Sequence, residues 1–369
     1  MALEQTNKVH VVYVINAVKK SGPNEVLKNM VRAIDYSKYK VTVVSLLSKS
    51  DKIEVNTLKS FGADFIQVGL SRKRDIVTLA PKALNSIFCN IAPDVIHSHG
   101  ILSDIAVLRS KYDAKYISTV HNNISEDYRY SFGRVKGALF TLWHIAYLRK
   151  ADEVVFCSSH AYNSLKRLLP NSSYIHNGIN IDRNVSNKEI LDEIRTKLGI
   201  QSSDVVYIYA GKLSARKNIL GLLKSFKNSH TTNEHLIVVG NGELYDDCLK
   251  YDNKNIHILG FQSNVNDYLD IANVYISASK SEGFSISVLE ALGRGLYLLL
   301  SDIPSHKEVF KIDKSSYVGE TFNFTNFGIS KDALSIKMAS KNIPRKFQNK
   351  YLTANTMMKE YEQLYSRIN

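Results

Sequence analysis

The sequence is poor in the features that mark disulfide-rich, zinc-binding and membrane-spanning proteins. It has three cysteines, Cys89, Cys157 and Cys248, and their wide spacing indicates neither a disulfide framework nor a zinc site. We expect all three to be reduced residues of the core. The most apolar stretch, residues 137–148, is far shorter than the roughly 20 residues that a membrane span needs. The first eight residues carry no secretory signal, so we expect a cytoplasmic protein.

Two ligand-binding motifs are absent or incomplete. Asp-x-Asp does not occur, which argues against a divalent metal clamping a diphosphate, and we expect no metal or other cofactor. The pattern closest to a dinucleotide fingerprint follows a predicted strand as Gly240-Asn-Gly242, but Tyr245 stands where the third glycine belongs. A hydride-transferring enzyme is therefore disfavoured.

Length and composition favour a globular protein of two domains. The 369 residues exceed what one hydrophobic core usually supports, and 44% hydrophobic with 22% charged residues is ordinary for a folded chain. Charge is uneven, because residues 1–180 hold 24 Lys and Arg against 14 Asp and Glu, whereas residues 181–369 hold 24 against 21. The first half therefore suits an anionic partner, and charge alone leaves open nucleic acid, an acidic membrane or a phosphorylated acceptor.

Short apolar, β-branched runs alternate with helix-period segments along the chain, the pattern of doubly wound α/β domains. The first series of predicted strands comprises residues 9–15, 41–47, 64–68, 95–97, 116–120 and 154–157. The second comprises residues 205–209, 235–239, 256–258, 274–277 and 296–300. We therefore predict two Rossmann-like domains with parallel sheets, facing a central cleft.

The predicted hinge is the most polar and least periodic stretch, residues 177–203, with Asn177-Gly178 as a turn. The first domain is predicted at residues 1–177 and the second at 178–349. A final helix is predicted within residues 350–369, with apolar positions at Tyr351, Met358, Tyr361 and Leu364.

The most informative motif is Glu282-Gly-Phe-Ser-Ile-Ser-Val-Leu-Glu290, which follows the predicted strand 274–277. Gly283 allows a ligand close to the backbone, and Ser285 is a predicted N-cap of the next helix. Amide groups at a helix start bind anions well, so this loop is a candidate diphosphate site with Glu282 and Glu290 holding hydroxyl groups on either side. The alternative is a capped surface helix with two unrelated glutamates.

A second candidate is the basic loop Gly211-Lys-Leu-Ser-Ala-Arg-Lys217, after the predicted strand 205–209. Lys212 and Lys217, with Arg216 in reserve, can converge on diphosphate oxygens and stabilise the charge of a departing phosphate. The alternative is a solvated basic loop without function.

The first domain has its own candidates at strand ends. Gly22 lies where the chain leaves the first strand and opens a helix, with Pro23 suited to the helix start, so a phosphate or sugar can rest there. His121 directly follows the strand 116–120, which favours a contact with a sugar hydroxyl over a purely structural role. His97 and His99 lack a third ligand nearby, so we predict packing for them and not metal binding.

Taken together, these motifs resemble the family 4 retaining glycosyltransferases of the GT-B fold over nearly the whole chain. The resemblance rests on Glu282 to Glu290, the loop 211–217, Gly240-Asn-Gly-Glu after a strand and Asn177-Gly-Ile-Asn-Ile-Asp182 at the domain junction. The segments Asp94 to Gly100, Ser118 to Asn122 and Ala151 to Ser158 add to it.

The resemblance implies a role for each matching position. Glu282 contacts the donor sugar, Glu290 holds the ribose, and the backbone of Gly283, Phe284, Ser285 and Ile286 meets the diphosphate. Lys212 and Lys217 neutralise the leaving phosphate, and Gly211 and Gly242 lie beside the donor. His121 lies under the transferred sugar, Gly22 lies beside both the donor phosphate and the acceptor, and Asn122 faces the acceptor. The final helix packs back on the first domain. Lys212 stands where the family commonly has Arg, which keeps the charge and loses the bidentate fork.

The implied activity is metal-independent transfer of a hexosyl or N-acetylhexosaminyl group from a nucleoside-diphosphate sugar, with UDP as the first choice and GDP as the second. The implied acceptor is a hydroxyl of a glycan or lipid-linked acceptor in the synthesis of envelope polysaccharide, such as O-antigen or capsule. Nucleic acid is not expected as a partner. Two alternatives stay open: a non-catalytic binder of nucleic acid or another anionic polymer, and a GT-B sugar phosphorylase or epimerase.

One further segment has two interpretations. The apolar run 139–148 is flanked by Arg134, Lys136, Arg149 and Lys150, which is typical of a helix lying at an anionic membrane surface. Its apolar residues occur on all sides of the helix, which instead favours packing in the core. The first interpretation predicts peripheral association with the inner face of the cell membrane.

Overall fold

The computed structural model of the chain describes residues 8–180, 186–312, 319–322 and 352–368. The chain divides into two compact units, which we call unit 1 (Met1–Asn180 and Leu352–Asn369) and unit 2 (Ile181–Tyr351). Each unit is an α/β domain built on one parallel sheet.

Unit 1 contains a seven-stranded sheet in the order β3-β2-β1-β4-β5-β6-β7. Its strands are β1 (Val9–Ile15), β2 (Tyr39–Leu47), β3 (Asp64–Leu70), β4 (Val95–His99), β5 (Lys115–Val120), β6 (Glu153–Phe156) and β7 (Ser172–Tyr174). Its helices are α1 (Gly22–Ala33), α2 (Lys52–Ser60), α3 (Lys73–Thr78), α4 (Ala80–Ile91), α5 (Ile101–Ser110), α6 (Ile124–Phe132), α7 (Arg134–Leu148) and α8 (Ser159–Leu165).

Unit 2 contains a six-stranded sheet in the order β10-β9-β8-β11-β12-β13. Its strands are β8 (Val205–Ala210), β9 (Glu234–Val239), β10 (Ile256–Gly260), β11 (Val274–Ser277), β12 (Tyr297–Ser301) and β13 (Gly319–Phe322). Its helices are α9 (Lys188–Lys197), α10 (Ile219–Ser229), α11 (Tyr245–Leu249), α12 (Val265–Ile271), α13 (Ile286–Gly293) and α14 (Pro304–Lys311). The last helix of the chain, α15 (Ala354–Ile368), belongs to unit 1.

The eleven predicted strands are all present, and the central ones are fully buried, as expected for parallel sheets covered on both faces. Two strands were not predicted, β7 and β13. Both are three or four residues long, lie at a sheet edge and are only partly buried, so neither carries an apolar run that sequence reasoning can detect.

Helix α9 lies within the predicted hinge, residues 177–203, and is not predicted from the sequence. None of its ten residues is buried, so its apolar periodicity is too faint to distinguish it from a polar linker. The N-terminal part of the predicted junction motif is described, whereas Ile181 and Asp182 lie outside the described residues.

Cys89 is a second correction. Cys157 and Cys248 are buried as predicted, but Cys89 is exposed on α4. Its apolar neighbour Phe88 faces the core together with Leu84. Because a helix turns about 100° per residue, Cys89 lies on a different face of α4 from Phe88. All three cysteines are free thiols.

Helix α15 is held in unit 1 by buried tyrosines. The Tyr365 hydroxyl lies 2.8 Å from Nδ1 of His97 and 3.1 Å from the Tyr13 hydroxyl, and the Tyr361 hydroxyl lies 2.9 Å from Oγ1 of Thr119. Met358 and Leu364 are also buried, whereas Lys350 and Tyr351 of the predicted helix lie outside the described residues. The end of the chain therefore completes the core of unit 1.

The chain enters α15 through a very close backbone approach. A Cβ atom at Gly178 would lie 2.1 Å from the carbonyl oxygen of Thr353, and Asn29 Nδ2 donates to the Gly178 carbonyl at 3.1 Å. Only glycine fits this position, since real Cβ contacts are never so short.

We predict that Gly178→Ala lowers the free energy of unfolding by about 1–3 kcal/mol, because the added methyl group must push two backbone segments apart. Urea unfolding followed by circular dichroism measures the change. Gly22→Ala is the matched control, because a Cβ atom there meets nothing within 4 Å. Equal stability of the Gly178→Ala variant and the wild type would show that the close approach is not required.

Candidate active site

The sheet of unit 2 reverses its strand order between β8 and β11. Open α/β sheets bind ligands outside the carboxyl ends of the strands at such a switch point, because the loops that follow the two strands diverge there. In unit 2 these loops are residues 211–218 and 278–285. They contain the predicted basic loop and the predicted Glu282 motif.

The two loops meet through one carboxylate. Glu282 is only 5% exposed, and its Oε1 atom contacts Lys217 Nζ and accepts a 2.6 Å hydrogen bond from Ser279 Oγ. Its Oε2 atom lies 3.3 Å from Arg216 Nη1, which also donates to the Ser281 carbonyl at 2.6 Å. We call Glu282, Arg216 and Lys217 the ionic cluster.

The ionic cluster fixes the charge of Glu282. Burial alone raises the pKa of this carboxyl, but the positive charges of Lys217 and Arg216, with a smaller effect of His306, lower it to about 2. Glu282 is therefore fully ionised at neutral pH and balances two cations in a largely buried position.

His306 lies beside the cluster on α14. Its Nδ1 atom is 2.9 Å from the Ser301 carbonyl, and its Nε2 atom is buried with no hydrogen-bond partner among the described residues. Burial lowers the pKa of His306 to about 4, so the ring is neutral at pH 7. The cluster and this ring together offer two cations, one anion and a neutral imidazole at one end of the sheet.

Lys212 is not part of this cluster. Its Nζ atom pairs with Glu243 at 2.9 Å, and both side chains are more than half exposed. The loop is turned here because the Tyr209 hydroxyl donates to the Lys212 carbonyl at 2.9 Å. The structure therefore places Arg216, and not Lys212, beside Lys217 and Glu282.

Two glycines allow the neighbouring loops to approach each other closely. A Cβ atom at Gly240 would lie 1.8 Å from the Gly211 carbonyl oxygen, and one at Gly242 would lie 2.2 Å from the Leu213 carbonyl oxygen. Leu213 donates its amide to the Asn241 carbonyl at 3.0 Å. Gly240 and Gly242 thus have a structural reason to be glycine, whatever else they contact.

The helix after Glu282 begins where the sequence predicts. Ser285 occupies the N-cap position of α13, although its side chain makes no cap hydrogen bond and instead lies 3.1 Å from Ser287 Oγ. Gly283 and Phe284 are buried and Ser285 is half-buried. The hydrogen-bonding groups that this turn offers are therefore mainly those of its backbone. The first amides of any helix lack partners within that helix, which gives the start of α13 its affinity for anions.

Glu290 lies one turn further along α13 and is half-buried. The Tyr275 hydroxyl links the end of β8 to α13, because it lies 3.2 Å from the Ala210 carbonyl oxygen and 2.8 Å from Ser287 Oγ. Burial raises the pKa of Tyr275, and the negative charges of Glu282 and Glu290 add to that effect. Both glutamates are therefore within electrostatic reach of one hydroxyl group.

The corresponding switch point of unit 1 lies between β1 and β4. Gly22 is exposed at the first position of α1, where Ser21 is the N-cap residue and Pro23 follows. His121 and Asn122 directly follow β5 and are half-buried. The structure thus places the predicted residues of unit 1 at the carboxyl ends of its strands.

His121 ends a ladder of three imidazole rings that sequence reasoning treated separately. The ring centroids of His97 and His99 are 4.6 Å apart, and those of His99 and His121 are 5.1 Å apart. Nδ1 of His99 shares a 2.9 Å hydrogen bond with Nε2 of His121. Among the described residues, His99 Nε2 and His121 Nδ1 are buried without a hydrogen-bond partner.

Burial keeps these rings neutral. It lowers the pKa of His97 to about 3 and that of His121 to about 4, and it holds the pKa of His99 well below its ordinary value. His97 and His99 are buried, as predicted. Within residues 8–180, 186–312, 319–322 and 352–368, no three His, Cys, Asp or Glu side chains are grouped so that they can hold a metal ion. Independence from metal stays a prediction.

Sequence reasoning ranks Arg216 below the lysines, misses Ser279 and His306, and predicts only packing for His99. A buried carboxylate needs more than one partner, and this signal favours a larger role for Arg216. His306 belongs to no motif, because only the topology of unit 2 brings it beside Glu282. His99 belongs to a motif, but the sequence does not indicate its hydrogen bond with His121.

Comparison with known proteins gives two family matches. Residues 20–183 match the family described as "Glycosyltransferase Family 4", and residues 191–328 match the family described as "Glycosyl transferases group 1". The first match covers most of unit 1 and the second most of unit 2.

The relatives include two proteins of Escherichia coli. The O-antigen biosynthesis glycosyltransferase WclY is 24% identical over 97% of this chain and 98% of its own length. The UDP-Gal:alpha-D-GlcNAc-diphosphoundecaprenol alpha-1,3-galactosyltransferase is 24% identical over 63% of this chain and 64% of its own length.

Solved structures share the fold. Sucrose-phosphate synthase from Thermosynechococcus elongatus has a TM-score of 0.77 with 16% identity, covering 98% of this chain and 99% of that one. Anabaena HepE in complex with UDP-glucose has a TM-score of 0.74 with 13% identity, covering 97% and 99%. At these identities the likeness shows the GT-B fold.

The ionic cluster predicts a defined pH dependence of stability. The pKa of Glu282 is about 2 in the folded protein and 4.5 for an ordinary glutamate, so its ionised form stabilises the fold above about pH 5 and this contribution is lost as the pH falls towards 2. We expect Glu282→Gln to lower the free energy of unfolding by about 3 kcal/mol at pH 7, with a gap to the wild type that narrows below pH 4.5.

Thermal unfolding of both proteins from pH 8 to pH 3 measures this gap. Glu243→Gln is the matched control, because it removes an exposed partner of a lysine and should open a much smaller gap. A Glu282→Gln gap that stays constant down to pH 3 would contradict the ion pairing.

Proposed function

The chain belongs to the family 4 glycosyltransferases of the GT-B fold, and we propose that it transfers a sugar from a nucleoside-diphosphate donor to an acceptor hydroxyl with retention of anomeric configuration. The observation that carries this proposal is the ionic cluster at the switch point of unit 2. Two half-buried cations held beside a helix start are suited to a diphosphate, and together with the amides of that helix start they are proposed to bind it without a metal ion.

In the proposed donor site, Lys217 and Arg216 face the phosphate oxygens, and the amides of residues 283–286 donate to the same group. Glu290 accepts hydrogen bonds from the ribose hydroxyls, and Glu282 accepts from the transferred sugar. Lys212 is a peripheral contact in this scheme, since its side chain is 64% exposed and already paired. UDP is the proposed nucleotide, because the galactosyltransferase relative is named for UDP-Gal and HepE was solved with UDP-glucose.

The proposed chemistry uses the departing phosphate as the base. The bond between the anomeric carbon and the β-phosphate oxygen breaks, the acceptor oxygen bonds to the same face of that carbon, and the acceptor proton passes to the phosphate. Lys217 and Arg216 stabilise the negative charge that grows on the phosphate.

A double displacement through Glu282 is disfavoured. Its pKa of about 2 makes it a weak base, and both of its oxygens are engaged by cations and by Ser279. Glu282 is better suited to hold Lys217 and Arg216 in place and to orient a sugar hydroxyl than to attack carbon.

In unit 1, His121 is proposed to contact a sugar hydroxyl as a neutral imidazole. Its Nε2 atom is already bonded to His99, which leaves Nδ1 for the substrate. His99 then acts as a positioning residue, because the shared hydrogen bond couples the tautomers of the two rings. Gly22 and Asn122 are the proposed acceptor-side contacts.

The proposed acceptor is a sugar hydroxyl of a lipid-linked glycan in envelope polysaccharide synthesis. This follows the two relatives, one named for O-antigen biosynthesis and the other for a GlcNAc-diphosphoundecaprenol acceptor. A cytoplasmic location is proposed as well, and it is supported by the three free thiols, one of them exposed, which suit a reducing compartment.

We predict different effects for the two lysines of the basic loop. Lys217→Met should lower the rate of transfer by about 10²–10³-fold, because it removes a half-buried charge from the proposed site of the leaving phosphate, whereas Lys212→Met should lower it by less than about tenfold. The assay measures the release of UDP or GDP from a panel of UDP-sugars and GDP-sugars with a synthetic GlcNAc-diphospho-polyprenol acceptor.

The thermal shift that UDP causes in each variant controls for folding and donor binding. A rate loss for Lys212→Met that equals or exceeds the loss for Lys217→Met would contradict the donor site as described. Transfer from GDP-sugars only would overturn the assignment of the nucleotide.

A further inference from the structure

Helices α6 and α7 of unit 1 turn large apolar side chains to the outside. Val135 is 76% exposed, Leu139 63% and Leu142 60%. Together with three exposed aromatic residues they form what we call the α6–α7 apolar face, which consists of Phe132, Val135, Leu139, Phe140, Leu142 and Trp143. A soluble monomer seldom leaves so many large apolar side chains exposed side by side.

The inward side of α7 is partly polar, which explains this orientation. His144 is buried, and its Nε2 atom lies 2.8 Å from Oδ2 of Asp104, a carboxylate with no exposed surface. Oδ1 of Asp104 also accepts hydrogen bonds from Ser98 at 2.5 Å and Ser118 at 2.8 Å. Separating such a buried pair is costly, so the pair fixes the rotation of α7 about its axis.

A close contact holds α7 in this position as well. A Cβ atom at Gly137 would lie 2.7 Å from the Tyr128 carbonyl oxygen, so α6 and α7 touch through their backbones. The apolar face therefore cannot turn inward. The run 139–148 is therefore divided, because Ile145 and Leu148 pack in the core while Leu139, Phe140, Leu142 and Trp143 are exposed.

Positive charge surrounds the apolar face. Residues 128–150 contain no Asp or Glu, and five exposed basic residues lie among them, Arg129, Arg134, Lys136, Arg149 and Lys150. The aromatic rings form a continuous row, with centroid distances of 4.7 Å from Phe132 to Phe140, 6.2 Å to Trp143 and 5.4 Å on to Tyr147. Aromatic rings and basic side chains around an apolar centre are typical of surfaces that lie at a membrane interface.

We propose that the α6–α7 apolar face docks unit 1 on an anionic lipid bilayer, with the leucines and aromatic rings among the acyl chains and the basic residues at the headgroups. A second copy of this chain is a poorer partner, because pairing two such faces opposes five like charges on each side and offers no acidic residue from 128–150. Within the described ranges every helix is too short or too polar to traverse a bilayer, and α7 has fifteen residues, so the helix lies along the surface.

The energetics are sufficient for reversible binding. Burying one leucine side chain is worth a factor of roughly ten or more in partitioning. Each basic residue near an anionic surface adds roughly another factor of five. The surface therefore predicts strong preference for anionic over zwitterionic lipid, weakened by salt.

Trp143 is the only tryptophan in the sequence, so it reports on this surface alone. The full chain is mixed with vesicles of phosphatidylcholine alone or with phosphatidylglycerol added. Sedimentation measures binding, and the emission wavelength of Trp143 measures insertion. We expect binding and a blue shift of Trp143 with the anionic vesicles only.

The decisive variant is Leu139→Gln combined with Leu142→Gln, which should weaken vesicle binding roughly a hundredfold and abolish the blue shift. Ile53→Gln on α2 is the matched control, since Ile53 is 74% exposed and lies on another helix; it should bind as the wild type does. The thermal shift that UDP causes should be the same in all variants. An unchanged shift shows that a loss of vesicle binding does not come from a damaged donor site.

Three results would overturn the proposal. The first is a wild type that does not sediment with anionic vesicles. The second is a double leucine variant that binds as tightly as the wild type. The third is a dimer of the wild type in sedimentation equilibrium that the double leucine variant no longer forms, since the face would then be an interface between copies of the chain.

Discussion

The carboxylate of Glu282 is the point on which the candidate site depends. A buried negative charge is stable only beside positive charge, and here Lys217 and Arg216 reach it from the loop of a neighbouring strand. That encounter is possible because β8 and β11 are adjacent in the sheet although three helices and two strands separate them in sequence. The parallel topology thus brings the three residues of the ionic cluster together. Glu282 in turn holds the two cations near the start of α13, and the start of a helix favours the binding of anions such as a diphosphate.

Unit 1 uses buried polar groups for a different purpose. The contacts of Tyr365 and Tyr361 with His97 and Thr119 attach the last helix to the sheet, and the pair of His144 with Asp104 sets the rotation of α7. In both cases a few hydrogen bonds inside the core fix the position of a helix and thereby determine which of its side chains are exposed. The exposed apolar row on α6 and α7 is a consequence of that polar interior.

Much of this organisation could be predicted from the sequence, and the exceptions have physical causes. Continuous apolar runs predict the central strands, and the glycine and glutamates of residues 282–290 predict the loop that lies at the switch point of unit 2. The separation of Lys212 from Lys217 could not be predicted, because it depends on the hydrogen bond from the Tyr209 hydroxyl to the Lys212 carbonyl. The side of α7 that faces the core could not be predicted from periodicity, because that method assumes that polar residues face solvent. His144 instead faces inward, where it forms a hydrogen bond with the buried Asp104, 40 residues away in sequence.

The central claim is that the ionic cluster and the start of α13 receive the diphosphate of the donor. Hydrogen–deuterium exchange of the full chain, with and without saturating UDP and with a chelator present, tests it most directly. The account predicts that UDP slows exchange in residues 211–218 and 282–290 although no metal is available. Protection confined to other segments, or protection that requires a divalent metal, would contradict it.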